Sequence, residues 1–301
     1  MRDHLSQKVG LARALSKLGY CSRSQGVALI RAGRVRLNGA SRCDPESAVD
    51  VEQDRIEVNG KLPRTAEKIY LMLNKPRGVV TTASDEKGRQ TVYDLLIEQK
   101  SWVAPVGRLD KASEGLLLLT NDSEWAARVL APETHLEKVY HVQIGTIADD
   151  SLLRAMVRGV RTAGGDLLQV KSVRLLRQGE RNSWLDIVLD EGRNRHIRRV
   201  FDELNVEVLR LIRVAIGPLP LGQLSKGSVR PLTAEEKESL DQAMKAGSMR
   251  QKVPLRPANR LGWVQVSDRK GGSSEPRTSF ATRWFWQWPW RRVRVAAGHQ
   301  A

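Results

Sequence analysis

The chain has 301 residues, 41% apolar and 28% charged, which suits two domains with a sizeable core and excludes fibrous and wholly disordered classes. No apolar run approaches the roughly 20 residues of a membrane span. The N-terminal MRDHLSQKVG lacks a secretory apolar stretch, and Cys21 and Cys43 alone cannot frame a disulfide scaffold, so a cytoplasmic protein is expected. The net charge is +16, and it sits at the ends. Residues 1–64 carry twelve basic and seven acidic side chains, 65–244 twenty-six and twenty-five, and 245–301 twelve and two. A near-neutral middle between basic ends suits a chain that holds a polyanion, since Lys and Arg displace phosphate counterions.

Leu11, Leu15 and Leu18 fall at helical spacing and Gly19 ends that helix. Ser22 and Gln25 form a capping box that starts a second helix, with Val27 and Ile30 inward and Gly33 closing it. The alternating Arg34–Leu37 run then meets an Asn38-Gly39 turn, and a similar unit ends at Asn59-Gly60. Arg13, Lys17, Arg23, Arg31, Arg34 and Arg36 avoid the apolar positions and form a candidate RNA-facing surface; the bland alternative is a solvated face. The stretch SRSQGVALIRAGRVRLNG, in this helix–helix–strand order, resembles an S4 domain. The resemblance covers about residues 8–61 and implies docking on structured RNA.

Residues 62–68 suit a linker. Beyond it, strands are predicted at Tyr70–Leu73, Val79–Thr82, Gly115–Thr120, Val139–Ile144, Leu167–Val173 and Trp184–Leu189. Helices are predicted at Val92–Gln99, Ser123–Leu130, Asp150–Arg158 and Asn194–Leu204. Without regular βαβ alternation the expectation is α+β with a mixed, largely antiparallel sheet and a central cleft. The domains are drawn at 1–64, 65–244 and 245–301, the last a basic, disordered tail. Within it the Trp/Arg-rich run from Trp284 to Arg292 has the composition for stacking on bases or meeting an anionic surface; a sequence accident is an equal reading.

Two stretches carry candidate chemistry. Gly107-Arg108-Leu109-Asp110 delivers a carboxylate ahead of the apolar run Leu116–Leu119, although a lone loop aspartate is more often a cap or turn residue. Glu191–Phe201 concentrates Arg193, Arg195, His196, Arg198 and Arg199 on a turn leading into a helix. One arginine there either points inward to a carboxylate or phosphate, or the whole helix grips RNA from outside. Cys and His spacing matches no metal site, and Gly164-Gly165 lacks a phosphate-loop context, so no metal is expected.

In order along residues 8–240, the segments LMLNKPRGVVTT, PVGRLDKASEGLLLLTND, EKVYHVQI, EGRNRHIRRVF and LIRVAIGPLPLGQLSKGSVRPLTAEE resemble the RsuA/RluB/RluE/RluF family of ribosomal RNA pseudouridine synthases. The resemblance implies that Asp110 is the catalytic aspartate, that Tyr140 packs against the target base, and that Arg198 is the cation beside the aspartate. Arg193 and Arg195 stand close enough in the motif to be confused with Arg198, and His196 replaces the usual Gln. Arg108, Arg193 and Arg195 join the candidate RNA-binding residues.

The implied reaction breaks the uridine N1–C1′ bond and forms C5–C1′, with no atom gained or lost, so no cofactor is expected. Asp110 would attack C1′ or deprotonate C2′, and a neighbouring Arg198 would favour its charged form. The implied substrate is large-subunit ribosomal RNA, free or in an assembly intermediate, bound by a monomer with no membrane partner. Small-subunit ribosomal RNA and a non-catalytic assembly factor are the alternatives.

Overall fold

In the computed structural model, the described residues are 8–63, 67–83, 85–97, 99 and 101–250, all within the compact unit Met1–Pro254. The Trp/Arg-rich run lies outside them.

The basic N-terminal segment folds on its own core. Helices α1 (Leu11–Lys17) and α2 (Arg23–Arg31) pack Leu11, Leu15 and Ile30 against Val35, Val49, Ile56 and Val58. Ser22 accepts the Gln25 amide hydrogen bond while Gln25 caps the Ser22 amide, so the capping box forms as expected. Strand Val35–Leu37 lies between Ala40–Ser41 and Ile56–Val58. Asn38 (φ 53) and Gly39 (φ 80) both take positive φ, the requirement of the tight hairpin turn that their sequence announces. This module meets the rest of the chain through α1, where Lys17 pairs with Glu124 at 3.0 Å.

The larger part is built on a nine-stranded sheet. Its principal strands are β1 (Tyr70–Lys75), β2 (Glu114–Thr120), β3 (Lys138–Ile144), β4 (Ser172–Gln178), β5 (Ser183–Leu189), β6 (Val208–Ile216) and β7 (Val229–Pro231). They lie in the order β4-β5-β3-β6-β2-β1-β7, antiparallel except for β6 beside β2. The mixed, largely antiparallel α+β architecture agrees with the sequence reading. Helices α3 (Ser123–Leu130), α4 (Asp150–Arg158), α5 (His196–Glu203) and α6 (Ala234–Arg250) complete it.

β2 explains the apolar run Leu116–Leu119: both of its faces are covered. Leu116 and Leu118 pack with Trp125, Val129, Leu240 and Met244 of α3 and α6. Leu117 and Leu119 pack on the other side with Val79, Val92, Val103 and Leu109. A third core forms where α4 and α5 cover Val142, Leu185, Ile187 and Leu211 of β3, β5 and β6. Tyr140 touches this core and the one around Leu109, at the seam between them.

Several predicted elements require correction. Val79–Thr82 forms only a bridge, Val80 to Thr91, because the pairing rests on residue 80 alone: its amide donates to the Gln90 carbonyl at 2.9 Å and its carbonyl accepts from the Val92 amide at 3.0 Å. Val92–Gln99 shortens to one 3₁₀ turn, Val92–Leu95, started by a Thr91–Asp94 capping box. Leu167–Val173 divides into Leu167–Leu168 and the start of β4, since each half pairs with a different strand. Helix α6 runs across the boundary drawn at residue 244, packing Met244 into the core and continuing to Arg250.

Candidate active site

Residues from distant parts of the chain line a cleft of about 520 Å³, within the roughly 300–1,000 Å³ usual for small-ligand sites. The Gly107–Asp110 loop forms one wall, Tyr140 and Lys138 of β3 with Leu211 and Arg213 of β6 form another, and Glu191–Arg198 forms a third. Leu109, Leu189 and Ile197 are buried around it.

The turn carrying Asp110 is held by the segment Asn74–Thr82. Lys75 is fully buried, and its Nζ donates to the carbonyls of Pro76 (3.0 Å), Asp110 (3.2 Å) and Ser113 (2.8 Å). The Thr81 hydroxyl takes the Leu109 carbonyl and the Gly78 amide takes that of Lys111 at 2.8 Å. A turn from the Ser113 amide to the Asp110 carbonyl at 3.0 Å completes the loop. Burial lowers the Lys75 pKa to about 8, against the opposing fields of Asp110 and Glu114. At neutral pH the ammonium is charged, with three carbonyls for its three protons. The backbone of residue 110 is thus fixed while its half-buried side chain faces the cleft.

Arg198 reaches the same cleft from α5. Its backbone follows Arg195, which takes a left-handed conformation (φ 50) as the helix N-cap. Burial lowers the Arg198 pKa and the Asp110 charge opposes this. Its Nη2 donates to the Ala112 carbonyl at 3.3 Å, and its Nε is buried without a hydrogen-bond partner. The guanidinium therefore braces the Asp110 turn and keeps a donor free. Arg193 and Arg195 are exposed at the rim, Arg193 paired with Glu191 at 3.0 Å, so burial separates Arg198 from its two neighbours. His196 points inside, 3% exposed, and burial lowers its pKa.

Arg108 is exposed at the opening of the cleft. Arg13, Arg23, Arg31, Arg34 and Arg36 are exposed on the N-terminal module and do not line the cleft. Lys17 is committed to Glu124, and Arg34 donates to Asn59 at 2.7 Å.

Sequence reasoning missed Lys75, Thr81, Glu114, Lys138 and Arg213. Lys75 and Thr81 lie in the quoted LNKPRGVVTT run, where a lysine beside apolar strand residues was the available signal. Glu114, 3% exposed, accepts hydrogen bonds from Arg210 (2.7 and 3.0 Å) and pairs with Lys226 (2.8 Å). Arg210, countered by desolvation and helped by Lys226, brings the Glu114 pKa down to about 2. A depressed carboxyl pKa contributes stability above its unfolded value, near 4.5, that is lost as pH falls toward 2. Urea unfolding of the wild type should therefore weaken between pH 4.5 and 2.5, by up to ~2 kcal/mol from this group. Glu114→Gln should start less stable and vary less across that window; parallel curves would contradict the assignment.

A cleft in which cations outnumber acids, joined to a separate basic module, is the arrangement of an enzyme acting on a polyanion. Residues 69–203 match the model of the RNA pseudouridylate synthase family, and residues 9–56 match that of the S4 domain. The chain is 37% identical to ribosomal large subunit pseudouridine synthase B of Bacillus subtilis, over 76% of this chain and 94% of that protein. It is also 37% identical to an uncharacterized RNA pseudouridine synthase of Aquifex aeolicus, over 79% and 95% respectively. A crystal structure of a pseudouridylate synthase superposes with a TM-score of 0.54 at 29% identity, covering 77% of this chain and 99% of that one. The chain belongs to the RNA pseudouridine synthase family, and it is an isomerase with an N-terminal S4 domain.

Proposed function

We propose that this enzyme isomerises a specific uridine of large-subunit ribosomal RNA, with Asp110 as the reacting carboxylate, Arg198 as its cation and Tyr140 against the base. The observation that carries the reading is that residues 110, 140 and 198, from three separate stretches, line one cleft. A uridine in structured RNA must leave its stack to enter such a space, and the Tyr140 ring offers a replacement surface. Asp110 then attacks C1′ or takes the C2′ proton, the uracil turns, and C5 bonds to C1′. Arg198 restrains the turn that carries Asp110 and compensates its negative charge in a partly dry site. The named relatives that act on the large ribosomal subunit favour that RNA. The enzyme works as a cytoplasmic monomer on ribosomal RNA, free or in an assembly intermediate.

The test is pseudouridine mapping after incubation of the purified enzyme with large-subunit and small-subunit ribosomal RNA, each supplied both protein-free and as ribosome-assembly intermediates. One new site in the large-subunit RNA is expected; a site only in the small-subunit RNA moves the substrate, and none in either returns the assembly-factor reading.

The exposed arginines of the S4 domain supply affinity in this reading. Replacing Arg13, Arg23, Arg31, Arg34 and Arg36 with Ala should weaken RNA binding at least about tenfold and flatten its salt dependence by roughly 0.7–0.9 per lost phosphate contact. The single-turnover rate at saturating RNA should hold; a collapse of that rate instead would make the module part of the active site.

A further inference from the structure

The most buried arginine lining the cleft is Arg213. It stands on β6 opposite Tyr140 of β3 in antiparallel register, so both side chains leave the sheet on one face, and both line the cleft. Arg213 is 6% exposed; its Nε donates to the Leu116 carbonyl at 2.7 Å, and its Nη2 is buried with no hydrogen-bond partner. Lys138, two residues before Tyr140 on the same face, adds a second cation, its pKa lowered by burial and by the Arg213 charge. A buried guanidinium with a carbonyl at one nitrogen and, among the described residues, no carboxylate paired with it is costly to hold, and the cost is recovered when a ligand brings negative charge.

The phosphates of an extruded nucleotide remain with the RNA backbone at the rim, where the exposed Arg108, Arg193 and Arg195 stand. Beside Tyr140 the base arrives instead. Uracil is neutral in the substrate and becomes an anion when the N1–C1′ electron pair departs with it. Both roles open to Asp110 produce that anion: a carboxylate ester at C1′ in one case, a C1′–C2′ alkene with the proton on Asp110 in the other. Its charge spreads over N1, O2 and O4.

We propose that Arg213 stabilises the detached uracil, its free guanidinium N–H groups meeting a uracil carbonyl oxygen beside Tyr140. The proposal rests on the reading of Asp110 and Tyr140 given above. The bookkeeping closes: C5 returns an electron pair to C1′, the C5 proton leaves, N1 gains one, and Asp110 is regenerated. Arg213 forms no covalent bond in any step.

The test compares the wild type, Arg213→Gln and Arg213→Lys in single-turnover consumption of an RNA fragment carrying uridine or 5-fluorouridine at the mapped position. Fluorine withdraws electrons and makes the detached base a better leaving group, so it partly replaces a stabilising cation. Arg213→Gln should slow uridine consumption about 10²–10³-fold and 5-fluorouridine consumption at least about tenfold less severely, with RNA affinity within about threefold. Arg213→Lys keeps the charge and should fall between. Equal losses for the two nucleosides would overturn the proposal and leave Arg213 a structural residue. So would a loss confined to affinity with a flatter salt dependence, which marks a phosphate contact. Should Arg213→Gln fail to fold by thermal melting, the nucleoside comparison in Arg213→Lys decides alone. A wild type that converts no uridine would overturn the isomerase reading itself, a different result from any of these.

Discussion

Asp110→Asn should lower single-turnover pseudouridine formation by at least about 10⁴-fold, the scale on which removal of a covalent or proton-transferring group is felt. The fold contacts recorded at residue 110 run through its backbone carbonyl, to Lys75 Nζ and the Ser113 amide. Asparagine keeps that carbonyl and nearly the same volume, so melting temperature and RNA affinity should be little changed. This separation makes the variant informative. If turnover persists, the chemistry passes to the other acid lining the cleft, Glu191, already engaged by Arg193 at 3.0 Å. Mass spectrometry of the digested RNA reads the product directly.

Gly115→Ala should cost about 4 kcal/mol or more, near 10 °C in melting temperature for a domain of this size. Two penalties coincide there. Gly115 has φ 102, outside the range open to an L side chain at low cost, and a Cβ would fall on the Arg213 carbonyl oxygen and 2.8 Å from the Arg213 amide nitrogen. The obstacle is backbone at the parallel junction of β2 and β6, so no rotamer relieves it. A control separates the penalties: Gly60 has φ 73 with nothing within 4 Å of an added Cβ, and Gly60→Ala should cost only about 1 kcal/mol. Equal melting shifts for the two would mean that the junction yields. Because Gly115 neighbours the Asp110 turn and Arg213, any folded fraction of the variant should also turn over slowly.

Where local rules govern, the chain was readable. The Ser22/Gln25 box, the Asn38-Gly39 turn and the end of α1 at Gly19 depend on neighbours within a few residues, and each formed where its side chains indicated. The apolar run Leu116–Leu119 announced a strand, and the fold covers both of its faces. β6 was missed although it is central. Its run VLRLIRVAI places arginines at positions 210 and 213, which disguises a buried strand. Their partners lie about a hundred residues away: Glu114 for Arg210 and the Leu116 carbonyl for Arg213. No window of the chain contains both ends of such a contact. The same holds for Lys75, whose ammonium is satisfied by carbonyls of a turn more than thirty residues on.

Composition and motif order were sufficient to indicate a basic N-terminal module, a mixed sheet and a family of RNA-modifying isomerases, because these rest on local patterns and charge that survive in one dimension. Which arginine of Arg193, Arg195 and Arg198 turns inward, what clamps the Asp110 turn, and that Arg213 faces Tyr140 were set by strand register and long-range packing. Those depend on burial, and burial is a property of the assembled chain: a cation becomes a site only when folding removes water from around it and leaves its charge uncompensated.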